Sequence, residues 1–352
     1  MKKWQFDEST IKDAINAGNR FLLDKSLSKK QRREIITDIN RFQAFLNGDF
    51  ELTKRKKELQ GVHLKNNILK SMKKHSKLFK HDLISWLIGL EQSGIFFKSD
   101  ELPPFKIDIN DAANYTLDNY RHNAPLFHNY AYELLKNKKI NLIHETQLNF
   151  SSYCFYSDIL QLPFIVIGTD DEASALNHEV QHAIEYLLGI STNHYYSEFG
   201  PIYFETLFND HLYNQYGNIS LSANLNRIYD TKKQLEIIKC YLYCMCIFSY
   251  NDFDVDDNFF FETFQEITGL QGKELTDFLN EEILEQELNE TLSYLFSFLK
   301  AIEIRSLELK NDMEAKRKFN QILYSRRFSF KKPQNGFQVY KDFVEEIKEK
   351  AR

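Results

Sequence analysis

Between Ile140 and Thr169 the chain carries its one strand-like passage, INLIHETQLNFSSYCFYSDILQLPFIVIGT, and on both sides of it apolar residues recur at helical spacing. β-Branched and aromatic residues in short apolar runs suit a pleated sheet. They predict strands at about 147–157 and about 162–168, with a third at 140–145. So short a passage cannot build a sandwich or a barrel. Glycine (12) and proline (6) are also too scarce in 352 residues for a fold rich in Gly-Pro turns. The expected fold is mainly α with a small central β-sheet.

Residues 8 to about 98 read as successive helices. DESTIKDAINAGNRFLLD has Ser/Thr at its start, and SLSKKQRREIITDINRFQAFLNG opens at a serine cap and stops at Gly48. HDLISWLIGLEQSG is apolar nearly all round, which predicts burial. The prolines of ELPPFKID end the pattern. They place a boundary near residue 104, with a helical region over 1–104 and a second domain over 105–352. The next helix, INDAANYTLDNYRHNAPLFHNYAYELLKN, is expected to break at Pro125. After Thr169 helical patterns run to the end, apart from a turn at KKPQNG.

Charge and cysteine content exclude several classes of function. A net charge of -5 gives no electrostatic footprint for nucleic acid, and the lysine-rich stretches of the first eighty residues read as solvated helix faces. No run reaches the roughly 18 apolar residues of a membrane span. MKKWQFDEST lacks the apolar core of a signal peptide. Cys240, Cys244 and Cys246 lie in the apolar stretch KCYLYCMCIFSY and read as buried, reduced thiols, so a reducing cytoplasm is expected. A thiol metal or redox site there is the alternative.

The strand passage leads into GTDDEASALNHEVQHAIEYLLGI. Thr169 or Asp170 can cap this helix, acidic residues fill its first turn and Gly189 ends it. His178 and His182 are four residues apart, about 400° of helix, so both imidazoles leave one face a turn apart. Two imidazoles so placed can bind one zinc ion, and Glu179, one step on, can act as general base without ligating the metal. A catalytic zinc needs a third protein ligand. SEFGPIYFETLFNDHLYNQYG supplies the candidates, in a helix read as starting at Pro201 and ending at Gly217. Glu205, set among Tyr203, Phe204 and Phe208, is the first choice, because a buried carboxylate needs a partner. Glu198, in the loop before that helix, is the alternative, and His194 and His211 fit less well.

LPFIVIGTDDEASALNHEVQHA followed by PIYFETLFNDHLYNQ resembles the oligoendopeptidase F and thimet oligopeptidase family of zinc peptidases, of the HExxH gluzincin type. The likeness covers roughly residues 100–310 and is specific at His178, Glu179, His182 and Glu205. It implies a zincin-type helical bowl around an active-site channel, with one zinc per chain. The implied activity is hydrolysis of internal bonds in short unstructured peptides. NFSSYCFY resembles the edge strand that lines the substrate. NETLSYLFSFLKAIEIRSL resembles the tyrosine-rich catalytic stretch, with Tyr294 matching its first tyrosine and implied to stabilise the oxyanion. Gln181 stands where the family commonly has glycine, Phe208 where a serine follows, and Phe296 and Phe298 where later tyrosines stand. EILEQELNETLSY has no counterpart of the histidine preceding them, and the chain is shorter than most members. The alternatives are therefore a catalytically impaired peptide-binding or regulatory protein on the same scaffold, or a protease dedicated to one precursor or regulatory protein.

Overall fold

The structure, a computed structural model, describes residues 8–50, 107–136, 141–144, 152–168, 172–190, 194–221, 223–238, 262, 265–266, 269–278, 288–324 and 336–351, apart from positions 229, 236 and 309. The helix read at HDLISWLIGLEQSG, the thiols Cys240, Cys244 and Cys246, the turn at KKPQNG and the capping residues Thr169 and Asp170 lie outside the described residues. The chain forms two compact units interleaved along the sequence. One comprises Met1–Lys54, Pro104–Ile190 and Phe204–Ser220; the other comprises Arg55–Pro103, Ser191–Tyr203 and Leu221–Arg352. One of the cuts falls at the Pro103–Pro104 pair.

In the first unit, α1 (Glu8–Phe21) and α2 (Lys29–Leu46) form a hairpin. Ser28 opens α2 with a reciprocal capping box to Gln31, and Gly48 follows its end at φ +75°, a conformation that suits glycine. The sheet has the order β1 (Asn141–His144), β3 (Leu162–Ile167), β2 (Tyr153–Ser157), with β3 parallel to β1 and antiparallel to β2. The three strands follow the sequence reading; the order, which puts β3 in the middle, does not follow from it. Central β3 is buried from Pro163 to Ile167, as a strand covered on both faces must be.

Alternation along the strands separates the two faces. Phe164 and Val166 of β3 and Phe155 of β2 join Ile39, Phe42 and Phe45 in one apolar core with α1 and α2. The register pairs Phe155 with Phe164, and their rings stack at 5.1 Å and 10°. Buried Asp38 fastens α2 to the hairpin between β2 and β3, accepting from the Ser157 hydroxyl at 3.0 Å and the Ile159 amide at 3.4 Å. Gly18 of α1 lies against this same hairpin. A Cβ there would sit 2.7 Å from Cδ1 of Ile159 and 2.9 Å from Cγ1 of Ile39. Gly18→Val is therefore expected to lower stability by about 1–3 kcal/mol, the usual cost of overfilling a packed site, read as a lower denaturation midpoint; an unchanged midpoint would refute the close approach.

The opposite face of the sheet carries Cys154 and Ile165, and α5 (Glu172–Leu187) packs on the sheet. Behind α5 lie α3 (Ile109–Asn123) and α4 (Pro125–Leu135), separated at Ala124 because Pro125 starts the second helix, as its fixed φ favours. Helix α6 (Phe199–Tyr216) gives its first turn to the second unit and the rest to the first.

The second unit also contains α7 (Gly272–Phe278), α8 (Leu288–Glu308), α9 (Asp312–Leu323) and α10 (Gly336–Ala351). Phe298 of α8 meets Tyr340 and Phe343 of α10 edge to face. Arg305 forks onto Glu346 at 2.9 and 2.7 Å. Burial alone would raise the Glu346 pKa, but hydrogen bonds from Arg305 and Lys350 outweigh it and hold the pKa at about 2. Among the described residues no helix is long and apolar enough to cross a membrane.

Candidate metal centre

Helix α5 ends in a Schellman motif. Gly189, at φ +60°, donates to the Tyr186 carbonyl and the Ile190 amide reaches back to the Glu185 carbonyl, so the helix stops where glycine permits a left-handed residue. His178 and His182 project from its middle with ring centroids 5.1 Å apart. His178 and Glu179 are buried, and His182 is half-buried.

The acidic partners come from α6. That helix starts at Phe199, two residues before the proline that sequence reasoning took as its start. The Ile202 amide donates to the Glu198 carbonyl, so Glu198, in the turn just before the helix as expected, stands at its N-cap. Glu198 and Glu205 are seven positions apart, about two full turns, and share one side of α6. Their environments differ. His178, His182 and Glu198 each offer a ligand atom, and these atoms lie within 4.8 Å of one another. Glu205 is not in that group. Its Oε2 accepts from Nδ1 of His178 at 2.9 Å, with both side chains buried.

These residues fit a divalent metal ion on their own chemistry. Two imidazoles and a carboxylate are the donor set of a His₂Glu zinc site. With Nδ1–H of His178 donating to the Glu205 carboxylate, the ring is in the tautomer that leaves the Nε2 lone pair free to ligate. The buried carboxylate at Glu205 does have the partner that its apolar surroundings demand, and that partner is the imidazole. The i, i+7 spacing of Glu198 and Glu205 was visible in the sequence; reading the helix as starting at Pro201 obscured it.

The remaining candidates have the following surroundings. His211 of α6 stacks on His122 at 6.1 Å beside Tyr115, and burial pushes its pKa down. His194 lies in a short 3₁₀ turn, His194–Tyr196. Tyr294 is half-buried on α8, with the Arg227 guanidinium 5.8 Å over its ring. Cys154, on β2, has its thiol pKa pushed up by burial and by the Glu179 and Glu185 carboxylates. Gln181, where the resembled family commonly has glycine, is fully buried and hydrogen-bonded to Tyr120 and Glu185.

No protein-family model matches the sequence, and no curated protein matches it. Solved structures do match. PZ peptidase A, determined with an inhibitor, superposes with a TM-score of 0.52 at 11% identity over 97% of this chain and 71% of that one. A Chlamydophila abortus protein described as a peptidase superposes with a TM-score of 0.53 at 12% identity over 98% of this chain and 63% of that one. The chain shares the fold of these two peptidases. A Bacillus anthracis protein described as an oligoendopeptidase F matches at 13% identity over 97% of this chain and 66% of that one, with a TM-score of 0.49. This chain therefore spans about two thirds of the length of these proteins. Identities this low establish the fold and nothing finer.

Proposed function

We propose that the chain is a zinc peptidase that hydrolyses internal bonds of short, unstructured peptides, with His178, His182 and Glu198 as the metal ligands. The observation that carries this reading is the grouping of those three side chains, two on α5 and one at the N-cap of α6, with Glu205 bonded behind His178. The fold shared with two peptidases supports it. Zinc, when bound there, supplies Lewis acidity to water and to the scissile carbonyl.

The chain's own residues supply the proton transfers. Glu179, buried next to His178 on α5, accepts the proton of the attacking water and passes it to the nitrogen of the departing amine. Glu205 keeps the His178 ring in its ligating tautomer and orientation. The family resemblance assigns to Tyr294 the hydrogen bond to the developing oxyanion, a role of typically about 2.7–4 kcal/mol.

Metal analysis of the purified protein, paired with mass-spectrometric readout of a mixed-peptide digest, tests the reading. About one zinc per chain and internal cleavages abolished by chelation are expected. Metal-free protein that leaves every peptide intact would sink it. A peptide-binding protein without turnover is the second reading, and one observation favours it. Phe296 and Phe298, in place of the later family tyrosines, are buried and used for packing: Phe296 against Tyr195 and Phe298 against Tyr340 and Phe343. Those positions supply no hydroxyl to a substrate.

A further inference from the structure

Two adjacent side chains of α3, Asn119 and Tyr120, are both fully buried, and together they reach the sequence neighbours of three site residues. Asn119 Nδ2 donates to Oδ1 of Asn177 at 3.1 Å and to the carbonyl of Phe204 at 3.2 Å. Asn177 immediately precedes His178 on α5, and Phe204 immediately precedes Glu205 on α6. The Tyr120 hydroxyl donates to Oε1 of Gln181 at 2.9 Å, and Gln181 immediately precedes His182. The Tyr120 ring also packs on Phe204 at a centroid distance of 5.0 Å.

The orientations of these amides are set by further bonds. Asn123 donates to Oδ1 of Asn119 at 2.7 Å, and Nε2 of Gln181 donates to Glu185 at 2.9 Å. Apolar helix faces can slide past one another at little cost. Buried hydrogen bonds tolerate little sliding, because a lost partner leaves a desolvated polar group. One dipeptide thus ties α5, at Asn177 and Gln181, to α6 at Phe204, the neighbour of Glu205.

We propose that Asn119 and Tyr120 are positioning residues, which hold α5 and α6 in the register at which Nδ1 of His178 meets Glu205 and so set the aim of the metal-binding imidazoles. The proposal rests on the metal reading above. Neither side chain touches a reacting atom; both act through the residues they hold. Gln181 then has a reason to replace glycine in the motif: it is the acceptor through which Tyr120 holds the His182 end of α5.

The test is zinc affinity, measured by competition with a chelating dye on the full chain. Tyr120→Phe removes one oxygen and keeps the ring on Phe204. It is expected to weaken zinc binding about tenfold, and Asn119→Ala by about 10–100-fold, the range seen for outer-shell groups at metal sites. A double-mutant cycle with Glu205→Gln separates positioning from general stability. If the two residues act through the bond from His178 to Glu205, Tyr120→Phe costs little further affinity once Glu205→Gln is present. A full additive loss overturns the proposal, as does a lowered melting temperature with zinc affinity unchanged in Tyr120→Phe. Should Asn119→Ala fail to fold, the Tyr120→Phe cycle decides alone. Zinc binding by the wild-type chain, measured first, distinguishes the two levels: no binding there overturns the metal reading itself.

Discussion

Changing Glu179 to glutamine leaves zinc content unchanged and lowers kcat/KM for peptide cleavage by about 10²–10⁴-fold, the usual contribution of a positioned general base. Glutamine has nearly the same shape as glutamate, so the fold of α5 and the direction of both imidazoles are expected to persist. It cannot accept a proton at neutral pH, so the step that Glu179 performs is lost. The paired measurement is metal stoichiometry together with steady-state kinetics on one cleaved peptide. A variant that lost zinc as well as activity would make Glu179 part of the metal's support. A variant as fast as wild type would remove the base assignment.

The second large effect concerns the two carboxylates of α6. Glu205→Gln is expected to reduce zinc affinity by about 10–100-fold, because it weakens the acceptor behind His178 while the three proposed ligands remain. Glu198→Ala removes one of the three groups that lie within 4.8 Å of one another, and its loss of affinity should far exceed that range. Both are read by equilibrium competition for zinc. The reverse order would make Glu205 the ligand and reduce Glu198 to a helix cap.

Residues close in sequence were the legible ones. Helix α5 could be read almost complete, because its spacing of four between histidines and its terminal glycine are local features; the Schellman motif at Gly189 bears out the end of the helix. The break at Pro125 and the serine cap at Ser28 were legible for the same reason, since each depends on one residue's backbone preference. Strand positions followed from β-branched and aromatic runs. Strand order did not, because the placement of β3 between β1 and β2 depends on which chain segments pair across many residues.

The amino-acid sequence by itself determined a mostly helical chain with one small sheet and a helix presenting His178, Glu179 and His182 together. Periodicity and capping act within a few residues, so their consequences can be read from the order of side chains. Only the tertiary structure put a carboxylate oxygen of Glu198 near both imidazoles and the Glu205 carboxylate against Nδ1 of His178. It also brought Asn119 and Tyr120 against residues 58 to 85 positions away. Those placements depend on how three helices settle against one another, and that register comes from packing and buried hydrogen bonds that no local spacing encodes.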